Sequence, residues 1–556
     1  MKDYKLANLR KKELKLSRQR EEILMLEPEE ILDKILSSPQ PATLIQSFSD
    51  QDLYFLMHSV GRQDFIPVLA LSSSDQWEYI LDMDIWRDDK PDINHMTRTL
   101  NLLFQAAPER LMHWTIKEKP DLLEYYFFKN IEIRIREHDE VPPDEDDFIT
   151  FDDKFYFRFP GADSDKNRES AQDLIVSMFD KVADMDISVF HAVLLETVRV
   201  LALEVEEEQL RLKNVRLAEK GFLPAYEAIG VYQPLSLKRF RKRRQDLKKP
   251  WNPDIPMAPQ LPSKFIKEDN LFAKALGTLK SDLFFDLQSE FAFLVNKVIS
   301  ADRVRIHGRE DIEKVIEKTC SYLSIGLEKT DLNNPGSVIE SYFLEDIFRA
   351  GSSEILKLGR IVQTWHGTSF LNKNSLPLSF LDEKWLGITG GLLLERPLFF
   401  DGLKPGESYR NFKSLVEIKD VTIEADKLIE TDRMLGRLNI DMGSFSHGIL
   451  TYKSMLLTLW AREHLGMDNS LNPIPVDDFK KFFQSVFSSR KEPDIEQIKR
   501  EDFLSWVSKA GRMDLKDLKK EFITVVHELF DEIEEEYGNV NPVDMDLRFI
   551  RHFLLI

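Results

Sequence analysis

The run Trp365-His366-Gly367-Thr368-Ser369 is the most enzyme-like short stretch of the chain, because it sets one imidazole beside two hydroxyls. An imidazole activates a hydroxyl nucleophile only when the two lie within hydrogen-bond reach and a third group orients the ring. Spacing along the chain shows neither condition, so the run is read as non-catalytic. None of the 11 histidines forms an HExxH pair or sits beside a cysteine or carboxylate at zinc spacing. The chain has no GxxxxGK[ST] phosphate loop, no GxSxG elbow and no cysteine dyad. Gly387, Gly390 and Gly391 make no GxGxxG pattern, and close helix–helix approach is the plainer reason for them. The acidic run Glu137 to Asp153 lacks the alternating Asp and central Gly of a calcium loop and reads as solvated. With 96 Asp and Glu, any carboxylate pair is expected by chance. No catalytic residue, metal or cofactor is expected, and the protein is read as non-enzymatic. An enzyme with a site buried between C-terminal helices is a further reading, since all-α enzymes often lack local motifs.

A second chemistry is suggested by charge. Lys238, Arg239, Arg241, Lys242, Arg243, Arg244, Lys248 and Lys249 stand against a single Asp246 in a chain of net charge -20. One reading is contact with nucleic acid or another polyanion. The other is a helix end that neutralises acidic surface of its own chain, such as Glu204 to Glu208 or the 137–153 loop. Phe240 is the one aromatic within the cluster, and no nucleic-acid reader fold is recognisable, which favours the second reading. An acidic surface also repels nucleic acid and anionic lipid at long range.

The elements around these residues are written in prolines and caps. Pro250, Pro253, Pro256, Pro259 and Pro262 recur at every third position, the period of a polyproline II rod. Each ring removes a backbone donor and clashes one turn back, so no α-helix survives there. The expected organisation is a charged helical arm at 1–27 and a helical repeat domain at 28–240. A basic segment and polyproline II linker at 241–264 follows, and then a C-terminal helical domain at 265–556. Within the repeat domain, Ser49-Asp50-Gln51-Asp52 and, about 25 residues on, Ser73-Ser74-Asp75-Gln76 are capping-box starts. Gly61 closes the first of these helices. Short helices that cannot bury their own faces, recurring at this period, are how stacked repeats are written. Phe148, Thr150, Phe155, Phe157 and Phe159 alternate around Asp152-Asp153 and predict one small β-hairpin near 148–159. The C-terminal segment DLRFIRHFLLI is too apolar to dangle. The fold class is mainly α, with stacked short helices in the N-terminal half and a helical bundle in the C-terminal half.

Cys320 is the only cysteine, and it sits in the apolar run 316–327 as a small core residue. No run approaches the roughly 20 apolar residues of a membrane span. The basic start is followed by no apolar core, so a secretory signal is not expected. A cytoplasmic protein is the expectation.

The stretches DQDLYFLMHSVG, DQWEYILDMDIW, NVRLAEKGFLPAYEAIGVY and YLSIGLE resemble a bacterial family of long, mostly helical proteins that carries a domain-of-unknown-function label. That resemblance implies no activity. Residues 29–135 loosely resemble, at the level of fold alone, the helical repeats of magnesium-transporter regulatory regions and flagellar rotor proteins. The function expected is a helical scaffold or adaptor binding a protein partner, with a polyanion-linked regulator acting through 238–249 as the alternative.

Overall fold

Cap residues set where the helices begin. Ser49 accepts from the Asp52 amide at the start of Asp50–Val60, and Ser73 forms a reciprocal capping box with Gln76 before Ser74–Asp84. Asp92 accepts from the His95 amide ahead of Ile93–Ala106. Pro28, Pro41, Pro108 and Pro120 open helices at the position where a missing amide hydrogen costs nothing. Gly61 ends its helix at φ 114°, a conformation glycine adopts without a Cβ clash.

The computed structural model describes residues 2–87, 89–136, 148–160, 166–242, 263, 266, 269–279, 281–402, 408–438, 440, 450–487, 494–537, 540 and 549–556. These residues are mainly helical, with a few short antiparallel strands. Among the described residues no helix is long and apolar enough to cross a membrane. The proline rod and the acidic run 137–147 lie outside the described residues.

The expected hairpin is present as Ile149–Thr150 paired with Phe155–Arg158. A third strand, Glu132–Ile135, pairs on the other side of Phe155–Arg158 and sets Ile133 opposite Phe157. Phe157 is thereby fully buried and packs on Phe179 of the helix Lys166–Met185, with centroids 5.0 Å apart. Two further ribbons, Trp86–Arg87 with Lys90–Pro91 and Phe399–Phe400 with Tyr409–Arg410, have two-residue strands. Strands so short leave no periodicity to read.

The chain divides into two compact units, Met1–Leu323 with Asn333–Arg349, and Ser324–Leu332 with Ala350–Ile556. Residues 243–262 of the linker expected at 241–264 lie outside the described residues. In the first unit, successive short helices of 6 to 14 residues between Pro28 and Asn130 pack on near neighbours in the chain. The helix Ser281–Ala301, from beyond the proline-rich segment, packs against Ala225–Tyr232 from before it. Gly221 has φ 87°, and a Cβ there would meet the Phe293 ring at 2.5 Å. Apolar surface on the two sides of the expected linker is buried together.

In the second unit, Trp460 of the helix Tyr452–His464 packs on Phe482, Phe503 and Phe530, each with centroids about 5.5 Å away. Phe553 packs on Phe479 with the rings tilted, so the last residues do pack as their apolar character requires. The glycines of the helix Glu383–Leu392 serve a different neighbour from the one expected. A Cβ on Gly387 would lie 2.4 Å from the Phe400 ring, and one on Gly391 would lie 2.5 Å from the Leu398 carbonyl oxygen. The close approach is helix on ribbon, because the strand pair lies flat on the bare glycine face.

Replacing Gly391 with alanine should therefore destabilise the protein by about 1–3 kcal/mol, since a backbone carbonyl cannot swing aside. That exceeds the roughly 1 kcal/mol gained from helix propensity. Gly367→Ala, in open space on a helix, should be neutral or stabilising. Urea unfolding of the two variants checks the contrast.

Candidate functional site

The basic segment is described as far as Lys242. Lys238 and Arg239 lie exposed in the single turn Leu237–Arg239. Arg241 stays more than half exposed but bonds acids of its own chain. Its backbone amide donates to Asp346 at 2.7 Å, and its guanidinium donates to the same carboxylate at 2.7 and 3.1 Å and to Glu345 at 3.2 Å. The Asp346 side chain is 2% exposed, so almost all of its solvation is replaced by Arg241. Hydrogen bonding to Asp346 holds the Arg241 guanidinium above its ordinary range. Phe240 is buried against Tyr342, and Lys242 forms a one-residue antiparallel bridge with Tyr342. Of the described basic residues, Arg241 is bonded to carboxylates of its own chain. They are Glu345 and Asp346, not the Glu204–Glu208 or 137–153 surfaces expected. Arg243, Arg244, Lys248 and Lys249 lie outside the described residues.

Arg241→Ala should cost about 2 kcal/mol, the scale of hydrogen bonds to a charged group with the carboxylate left buried. Lys238→Ala and Arg239→Ala should stay near zero. Thermal or urea unfolding checks all three.

The Trp365–Ser369 run ends the helix Leu344–Thr368, and Ser369 caps the helix that follows. The Ser369 hydroxyl donates to the His366 carbonyl at 2.8 Å and accepts from the Asn372 amide at 3.1 Å. Thr368 donates back to Thr364 and Trp365 carbonyls. Both hydroxyls serve the backbone rather than the imidazole. Cys320 is buried, and burial pushes its thiol well up, which leaves it unreactive.

Two clusters escaped the sequence because each is completed by a side chain from another element. In the first unit, Asp84 accepts from the Tyr54 hydroxyl at 2.9 Å and lies 2.7 Å from Arg62 and 3.8 Å from His58. Burial raises the Asp84 pKa, but the neighbouring His58 and Arg62 outweigh it and the net shift is downward. Tyr54, His58 and Asp84 are all buried, so the cluster fastens helices. In the second unit, His552 turns Nε2 to Glu532 at 3.0 Å and Nδ1 to Glu536 at 3.2 Å and the Tyr537 hydroxyl at 3.0 Å. Lys453 binds the other oxygen of Glu532 and reaches Asp382 at 3.0 Å.

Glu532, Glu536 and His552 are close enough to share a cation. The two carboxylates face opposite nitrogens of one ring, however, and Lys453 already occupies Glu532. The group is a charged clasp that holds the C-terminal segment, whose Leu554 amide donates to Thr458 at 2.9 Å.

The His552 hydrogen bond, helped by Lys453, pushes the Glu532 carboxyl down to about 2 from 4.5. A depressed folded-state pKa means that this stabilisation is complete above about pH 4.5 and is lost as pH falls toward 2. Glu532→Gln should speed hydrogen exchange at the Leu554 amide at neutral pH, whereas Glu535→Gln on the exposed face should not.

Among the described residues, three large aliphatic side chains stand exposed close together at the turn joining the helices Ile187–Val198 and Ala202–Ala218. Val198, Leu201 and Leu203 are 49%, 62% and 75% exposed. Exposed Glu204 and Glu207 follow, and Glu196 precedes, paired with Arg199 at 3.0 Å. Apolar spacing alone could not mark this turn, because a leucine in a helix reads as core until a neighbour fails to cover it.

The chain belongs to the family of unknown function DUF6178, whose profile matches residues 8–556. Comparison with curated proteins and with solved structures found no match. The likeness to magnesium-transporter and flagellar-rotor repeats therefore stays an expectation of the sequence.

Proposed function

We propose that the protein is a non-enzymatic helical scaffold that binds a protein partner through the turn Val198–Leu203. The exposure of three large aliphatic side chains within six residues carries this reading. Single exposed leucines are ordinary, but a contiguous apolar patch with a polar rim marks a docking surface. Covering such side chains releases about 25 cal/mol per Å² of apolar area. Glu196, Glu204 and Glu207 form the rim. A partner that sets basic side chains around an apolar anchor fits both parts, with the charges steering encounter and the anchor supplying affinity. A cytoplasmic location goes with this reading, since the lone Cys320 makes no intrachain disulfide.

A photo-crosslinking residue in place of Leu203 should capture one protein in native extract. The double variant Leu201→Asp, Leu203→Asp should lose that partner in co-purification at unchanged thermal midpoint. Absence of an adduct, or an adduct indifferent to the double substitution, would overturn the reading.

A further inference from the structure

In the first unit the opening turns of the helix Lys166–Met185 pack on the helix Ile93–Ala106, and two clefts are lined by both. The helix sorts its charges between them. Arg168 and Gln172, four apart, face one cleft, and Glu169 and Asp173, also four apart, face the other. The first cleft has a volume of ≈ 440 Å³, the size of a site for a small molecule. Its polar lining is Asn94, Thr97, Lys129, Asn130, Arg168 and Gln172, and the rest is apolar. Among the described residues no carboxylate lines it, although the chain carries 96 acidic residues among 556.

The hydrogen-bonding capacity of this lining is only partly used. Thr97 donates to the Ile93 carbonyl at 2.9 Å, and the Asn130 amide donates to the Tyr126 carbonyl at 2.7 Å. Lys129 lies 3.2 Å from Glu206, which also accepts from the Tyr125 hydroxyl at 2.7 Å. Glu206 is thus shared, and Lys129 keeps donors for a second acceptor. Arg168 is exposed and has no ion-pair partner among the described residues. A guanidinium offers a planar fork that matches a carboxylate or phosphoryl group bidentately.

We propose that this cleft binds a small oxyanion-bearing molecule, phosphoryl or carboxylate. Arg168 and Lys129 supply charge, and Asn94 and Gln172 supply amide hydrogen bonds. The site is separate from the docking turn and does not depend on the scaffold reading.

The test uses the full chain, titrated with inorganic phosphate and with citrate to about 20 mM at constant ionic strength, chloride being the control, and read by calorimetry. Saturable binding of at least one of the two is expected, and the stronger identifies the group. Arg168→Ala should weaken it by about tenfold or more, while Arg168→Lys keeps part of it. Glu169→Gln, on the opposite cleft, should leave it unchanged. Circular dichroism confirms that each variant is folded. Failure of both anions to saturate the parent overturns the proposal. So does equal affinity in Arg168→Ala, which would mean diffuse attraction rather than a built site.

Discussion

The first unit is closed by two side-chain amides that face each other in its core. Gln51 donates to Asn296 at 2.7 Å, Asn296 donates back at 2.9 Å, and the same Asn296 amide reaches the Lys220 carbonyl at 2.7 Å. Both side chains are buried, at 2% and 0% exposure. Neither has water to fall back on, so either one without the other would leave a buried polar group unsatisfied at a cost of about 1–3 kcal/mol. The pair fixes the helix Asp50–Val60 to Ser281–Ala301, 245 positions apart. It ties together helices from before and after the proline-rich segment, with Gly221 bare against Phe293 beside it.

The acidity of the chain is handled by local pairing. Asp346 is wrapped by Arg241, Asp82 takes two hydrogen bonds from Arg216, and Glu532 is held by His552 and Lys453. Each acid is partly or fully withdrawn from water, where an unpaired charge would be expensive, and each is met by a donor that the fold brings from a distance. What remains on the surface is then informative by its departures. The Val198–Leu203 turn is apolar within an acidic rim, and the Arg168 cleft is cationic within an acidic chain. Lys129 of that cleft bonds Glu206, one helical turn from Leu203.

Much of the fold was legible. Caps at Ser49, Ser73 and Asp92, prolines at helix starts, and the alternation around Asp152-Asp153 are local signals, because the interactions that enforce them join residues close together in the chain. The third strand was missed since four residues after a helix show too little alternation. The ribbon on Gly387 and Gly391 was missed since a glycine face says only that something comes close. The boundary between the compact units falls inside the helices Arg309–Asp331 and Leu344–Thr368, where no change of composition marks it.

The same division holds for the site residues. A basic run is visible as composition, but whether Arg241 faces a ligand or its own Asp346 depends on a contact 105 positions away. Sequence alone determined the helical class, the start and stop of most elements and the identity of the family, because these rest on short-range geometry and on residue patterns along the chain. Tertiary structure alone decided which charges are consumed, which leucines stay uncovered and which helices share a core. Those outcomes depend on what lies across the fold from each side chain, and no spacing in the chain encodes that distance.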